Sequence, residues 1–115
     1  VLNLIRRLQR EKQLTYLFIT HDLPVVKHIA DRILVMYLGQ LTEAGPVAAV
    51  FEHPLPPYTE ALLSAIPSVD PTLRKDRILL EGDVPSPIAP PDGCRFHTRC
   101  RLAQSRCREE QPQWR

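Results

Sequence analysis

A few side chains in this chain have the chemistry to do more than pack. His21 follows the apolar run Tyr16-Leu17-Phe18-Ile19 and Thr20, and it precedes Asp22. An imidazole where a buried strand opens into a loop can donate a hydrogen bond to a phosphate oxygen. It can also hold a water or a carboxylate in line for phosphoryl transfer, a reaction that asks mainly for positioning and charge stabilisation. Far along the chain, Cys94, Cys100 and Cys107 are spaced C-x5-C-x6-C, with His97 between the first two. That spacing is neither a zinc C-x2-C pair nor the ferredoxin C-x2-C-x2-C run. Chemistry alone leaves three readings open: free thiols, one disulfide plus one thiol, or ligands of a metal or iron–sulfur centre. His53, before Pro54, reads as a helix-end residue and not a ligand.

The elements that must position these groups follow from periodicity. Val1, Leu4, Ile5 and Leu8 make the i, i+3, i+4, i+7 stripe of a helix over residues 1 to about 12. Thr15 to Thr20 is short, β-branched and aromatic without polar alternation, which predicts a strand covered on both faces, as in a parallel sheet. Asp22 is placed to cap the next helix, and Pro24 falls in that helix's first turn. Val25, Val26, Ile29 and Ala30 form its buried stripe. Ile33 to Tyr37 reads as a strand, Leu38-Gly39 as a turn and Gln40 to Ala44 as the returning strand. Pro46 suits the start of a short helix running to about Glu52.

The chain changes character after His53. Proline accounts for 12 of 115 residues, about twice the usual ~5%, and most of it lies here. Tyr58 to Ile66 reads as a helix stopped by Pro67, and residues 67–77 as a connector. Ile78-Leu79-Leu80 is a candidate short strand. Residues 84–91 are too proline-rich for a helix or central strand and predict extended backbone. Asp92-Gly93 is a turn that delivers Cys94.

Composition narrows the classes. A net charge of +2, from 15 basic and 13 acidic residues, is too balanced for a nucleic-acid footprint. Arg6, Arg7 and Arg10, with Glu11 among them, read as a solvated helix face. No apolar run approaches the roughly 20 residues of a membrane span. The chain opens on Val inside a helical pattern and closes at Arg115 without a stop signal, so both ends are expected to be cuts in a longer protein.

The string Tyr16-Leu17-Phe18-Ile19-Thr20-His21-Asp22-Leu23, then Asp31-Arg32-Ile33-Leu34-Val35-Met36-Tyr37-Leu38-Gly39-Gln40, then Glu43-Ala44-Gly45, resembles the switch-histidine region of ATP-binding-cassette (ABC) ATPases. The likeness spans about residues 1–52. It implies an α/β fold: the C-terminal end of a P-loop NTPase nucleotide-binding domain with a β-hairpin and helices. It also implies that His21 contacts the γ-phosphate of ATP and senses nucleotide across a dimer, with Asp22 a helix cap and not a base. The Gly-x-x-x-x-Gly-Lys-Ser/Thr phosphate loop, the signature motif and the acidic pair for Mg²⁺ do not occur in these 115 residues. Residues 1–115 alone are therefore expected neither to bind ATP tightly nor to hydrolyse it.

From residue 53 on, a second likeness appears. His53-Pro54, Pro57-Tyr58-Thr59, Gly82-Asp83-Val84-Pro85 and Gly93-Cys94-Arg95-Phe96-His97-Thr98-Arg99-Cys100 resemble the C-terminal extension of oligopeptide/dipeptide (and nickel) importer ATPases. The family's His-Pro-Tyr-Thr is interrupted here by Leu55-Pro56-Pro57, and Arg101 stands where proline is usual. The resemblance implies a fourth cysteine downstream and, in parts of the family, a [4Fe–4S] cluster held by Cys94, Cys100 and Cys107. A cytosolic setting argues against disulfides, and three thiols on a coreless loop argue for a shared centre. His97 is an alternative ligand.

The expected organisation is thus residues 1–52 as the end of an ABC nucleotide-binding domain and residues 53–115 as an irregular Pro/Cys-rich extension, incomplete here. The expected parent is a peptide-transporting ATPase that uses ATP and Mg²⁺, peripheral on the cytoplasmic face of the membrane. Its partners would be a second ATPase subunit (identical or homologous), membrane permease subunits and, indirectly, an extracytoplasmic peptide-binding protein, with no nucleic acid. The rivals are a stand-alone module centred on a cysteine-ligated metal or iron–sulfur group, and a nonfunctional truncated product.

Overall fold

The computed structural model describes residues 1–67 and 76–113. Helix α1 spans Leu2–Lys12 and ends on Gln13, whose φ of 52° is left-handed. Residues 14–22 are irregular, and α2 follows at Leu23–Ile29. Strands β1 (Arg32–Tyr37) and β2 (Gln40–Pro46) pair antiparallel. Helix α3 (Val47–Glu52) and helix α4 (Pro57–Ser64) come next. Beyond Asp76 the described chain is irregular apart from two 3₁₀ turns, His97–Arg99 and Ser105–Arg108. The fold is mixed α/β, and among the described residues its sheet has two strands.

The hairpin forms as its sequence dictates. Its two central residues, Leu38 (φ 46°) and Gly39 (φ 76°), both take positive φ, as a type I′ connection requires. Glycine does so freely, whereas a non-glycine residue there costs about 1–2 kcal/mol, so something must hold Leu38. Val35 and Tyr37 point inward and are buried, while Leu34 and Met36 on the other face are each 56% exposed. A register shift after Val35 pairs Val35 with Glu43 but Met36 with Leu41, leaving Thr42 as the extra residue of a β-bulge. The bulge sends Leu41 outward and Glu43 inward.

The core lies on that inner face. Val47 and Val50 of α3 pack on the hairpin, and Ala61 of α4 and Phe96 from the cysteine loop complete it. Tyr37, Tyr58 and Phe96 form an aromatic triad with ring centroids 4.7 to 5.2 Å apart, Phe96 meeting Tyr37 edge-on at 83°. Tilted and edge-on contacts suit the ring quadrupoles. Helix α2 docks on α3 with Lys27 Nζ 5.7 Å from the Phe51 ring centroid.

Two expected strands do not form. The Thr15–Thr20 segment is irregular and wholly exposed, with Leu17 at 85% and Ile19 at 92%. A strand covered on both faces exists only through ladder and layer partners, and among the described residues none pairs with it. Ile78–Leu80 likewise makes no strand. Residues 84–91 are irregular as their prolines require, and part of the connector at 67–77 lies outside the described residues.

Candidate functional site

His21 sits on the short link between the exposed 14–20 segment and α2. Two local hydrogen bonds shape that link. The Asp22 N–H donates to Thr20 Oγ1 at 3.0 Å, and the Val25 N–H donates to Asp22 Oδ1 at 3.2 Å. Asp22 is thus the N-cap of α2, and Pro24 sits in the first turn where no intrahelical donor is lost. The Asp22 carboxylate is spent on the helix, and the His21 side chain is exposed.

The cysteines lie on one loop folded back on itself. The Cys94 N–H donates to the Cys107 carbonyl at 2.9 Å, joining the two ends. Gly93 makes that closure feasible: its φ is +66°, and a Cβ there would stand 2.6 Å from Cys107 O and 2.7 Å from Arg108 C. Any side chain would drive backbone into backbone. The Cys100 N–H donates to His97 O at 3.3 Å, and the Gln104 N–H reaches Cys107 Sγ at 3.5 Å. His97 Nδ1 lies 2.9 Å from Cys94 O. A carbonyl only accepts, so Nδ1 carries the proton and Nε2 is the nitrogen left for a ligand.

All three thiols are free and half-buried. Burial pushes the Cys94 thiol up from its ordinary value, and Cys107 and Cys100 push the same way, while the Phe96 and His97 backbone N–H groups pull against them. Cys94 is therefore a protonated thiol at neutral pH, and a metal taking it must displace a proton. Among the described residues, no three His, Cys, Asp or Glu side chains are placed to share one metal ion. The donor set suits a thiolate-held centre, but the thiols do not form a closed mononuclear zinc site.

Several residues that matter to this architecture have no motif of their own. Arg95 reaches the hairpin turn and donates from Nη1 to the Leu38 carbonyl. Glu43 is 7% exposed, and its Oε1 accepts from the Leu55 N–H at 3.0 Å. It lines a cavity of about 210 Å³ with Gly45, Ala49, Val50, His53 and Leu55. Glu43 Oε2, Thr59 Oγ1 and Tyr37 OH are buried without a partner among the described residues. His53 itself is exposed at the end of α3. The sequence signal for this joint was the mixture of a charged residue with inward positions of β2, and it is visible only once the bulge is known.

Residues 42–107 match the family described as "Oligopeptide/dipeptide transporter, C-terminal region". The putative oligopeptide transport ATP-binding protein YkfD of Bacillus subtilis is 56% identical over 98% of this chain. The dipeptide transport ATP-binding protein DppF of Haemophilus influenzae is 55% identical over 97%, and the oligopeptide transport ATP-binding protein OppF of Escherichia coli is 54% identical over 97%. The chain spans 34 to 35% of the length of these relatives. No described helix is long and apolar enough to cross a membrane. On a family match that covers more than half its length, the chain belongs to the oligopeptide/dipeptide transporter C-terminal region family.

Proposed function

We propose that this chain is the C-terminal part of the ATP-binding subunit of an importer of di- or oligopeptides, in which ATP hydrolysis drives uptake through membrane permease subunits. The observation that carries the reading is the extent of identity. It runs over 97 to 98% of the chain, through the His21 segment as well as the cysteine loop, in relatives named as peptide transport ATP-binding proteins. The subunit would sit on the cytoplasmic face of the membrane and pair with a second ATPase subunit. Residues 1–52 would close its nucleotide domain, and residues 53–115 would form the appendage.

In this reading His21 is the residue of the chain that meets nucleotide. Its imidazole is exposed beside a capped helix start, free to donate to a γ-phosphate oxygen and to hold the attacking water in line. ATP and Mg²⁺ would be cradled by residues preceding this chain. In the full-length protein, His21→Ala is expected to lower ATP turnover by about 10²–10³-fold, the usual loss for one positioned transition-state donor. Nucleotide affinity should stay within a few-fold, because the cradle lies elsewhere. Turnover at the parent rate would remove His21 from the site.

We further propose that Cys94, Cys100 and Cys107 hold a [4Fe–4S] cluster together with a fourth ligand outside the chain. The support is three half-buried thiols on one loop whose ends are joined at Cys94 and Cys107. Bound there, the group would staple a loop that has few apolar residues of its own. Iron and sulfide analysis of the anaerobically purified full-length protein should find about four of each, with each cysteine required. Iron and zinc both far below stoichiometry would leave the loop a protein-contact surface.

A further inference from the structure

We infer that Arg95 is a latch that holds the hairpin turn in its strained conformation, so that chemistry at the cysteine loop is felt at Leu38-Gly39. This goes beyond the transport reading and does not depend on it.

Leu38 is a non-glycine residue with φ 46°, and such conformations persist only where surrounding structure over-determines them. Its carbonyl accepts from Arg95 Nη1, and the same guanidinium nitrogen lies 3.6 Å from where a Gly39 Cβ would be. Arg95 is next to Cys94, whose N–H is tied to Cys107. On its other side Phe96 is 6% exposed and packs on Tyr37, the last residue of β1 before the turn. A third tie joins Gln40, the first residue of β2, to Gln111 at 3.4 Å.

Turn and loop therefore meet on both sides of one strained peptide. Moving Cys94 or Cys107 displaces Arg95, and without its guanidinium the Leu38 conformation loses the contact that offsets its strain. The effect runs both ways, since coupling between two sites is reciprocal. Arg95 acts here as a positioning residue. It touches neither nucleotide nor substrate in this account.

The test is amide hydrogen exchange on the metal-free full-length protein that carries this chain. Residues 36–42 report the hairpin, residues 93–108 the cysteine loop, and α1 serves as control. Arg95→Gln should speed exchange over 36–42 by about tenfold or more, the effect of losing one charge-assisted hydrogen bond. Adding Leu38→Gly to Arg95→Gln should bring 36–42 back toward the parent rate, because glycine takes the turn unaided. Alkylating the thiols with iodoacetamide should speed 36–42 in the parent but not further in Arg95→Gln. Exchange that changes over 93–108 alone after alkylation, or no rescue by Leu38→Gly, would overturn the latch. Alkylation of the parent needs no substitution, so exchange confined to 93–108 there overturns the latch even where Arg95→Gln fails to fold.

Discussion

The two ends of this chain are built on opposite principles. Helix α1 carries an apolar stripe and residues 16–19 are an apolar run, yet neither α1 nor α2 contains a buried residue. Val1, Leu17 and Ile19 are 97%, 85% and 92% exposed. The hairpin and α3 carry apolar runs too, Ile33 to Leu38 and Val47 to Phe51, and among the described residues every buried large apolar side chain, with Ala61, comes from the hairpin, α3, α4 and the cysteine loop: Val35, Tyr37, Val47, Val50, Ala61 and Phe96. Apolar content therefore does not locate the core. The first region leaves its apolar side chains uncovered among the described residues, whereas the second closes on itself through contacts between segments far apart in sequence. The proposed place of this chain at the end of a longer nucleotide domain accounts for the asymmetry, since the sheet that would flank residues 15–20 lies upstream in that reading.

The sharpest way to break this comparison is to remove one residue from each side. Phe96→Ala deletes the ring that joins Tyr37 and Tyr58 and should cost about 3–5 kcal/mol in full-length protein. In the 115-residue chain it should also abolish the near-ultraviolet circular dichroism of the packed tyrosines. Ile19→Ala should leave that signal unchanged in the 115-residue chain, because a side chain 92% exposed has little packing to lose. In the full-length protein the same change should cost about 2–5 kcal/mol, the range for a buried isoleucine. Equal sensitivity of Ile19 in both settings would mean the first region needs no outside partner.

Sequence reading works where a feature is local and fails where it depends on a distant neighbour. The hairpin was legible because the apolar run Ile33 to Tyr37, the Leu38-Gly39 turn and the returning segment from Gln40 lie within a dozen residues. Helices α1 and α2 were legible for the same reason, as was the Asp22 cap. Thr15–Thr20 was read as a strand from composition that still fits one, but strand formation is a property of the pair. The triad and the Arg95 contact span up to 59 and 57 positions, as Tyr37–Phe96 and Leu38–Arg95. No local pattern marks them. Glu43 was hidden differently: without the Thr42 bulge it would share a face with the exposed Leu41. At the candidate site, the cysteine spacing and His21 stood out at once. Gly93 was legible as a turn but not as the position where backbone meets backbone.

A cap offers a smaller test of the first region. Asp22→Ala removes the acceptor for the Val25 N–H and should cost about 1 kcal/mol, within the 0.5–2 kcal/mol usual for such caps. If α2 gains its order chiefly from docking on α3, full-length protein will lose that amount of stability while ATP turnover changes only a few-fold. A loss of turnover as deep as that of His21→Ala would give the carboxylate a role in the chemistry, contrary to its place as a cap.

The smallest effect belongs to the Cys94 thiol and sharpens the view of its loop as folded but only half-closed. Its pKa is raised by burial first, with Cys107 and Cys100 adding to the shift and the Phe96 and His97 N–H groups opposing it. A raised pKa means the folded state holds the proton more tightly than the unfolded chain. The resulting stability is fully present below the unfolded thiol value, about 8.5, and is lost as pH climbs through the raised folded value. Metal-free protein should therefore weaken modestly as pH rises past that range, and Cys94→Ser, which has no thiol to ionise there, should flatten the decline. Urea midpoints of the two proteins measured from pH 7 to pH 10 provide the check. Parallel curves would mean that Cys94 ionises as freely in the folded loop as in the open chain, and that the loop around Gly93 leaves the thiol in solvent.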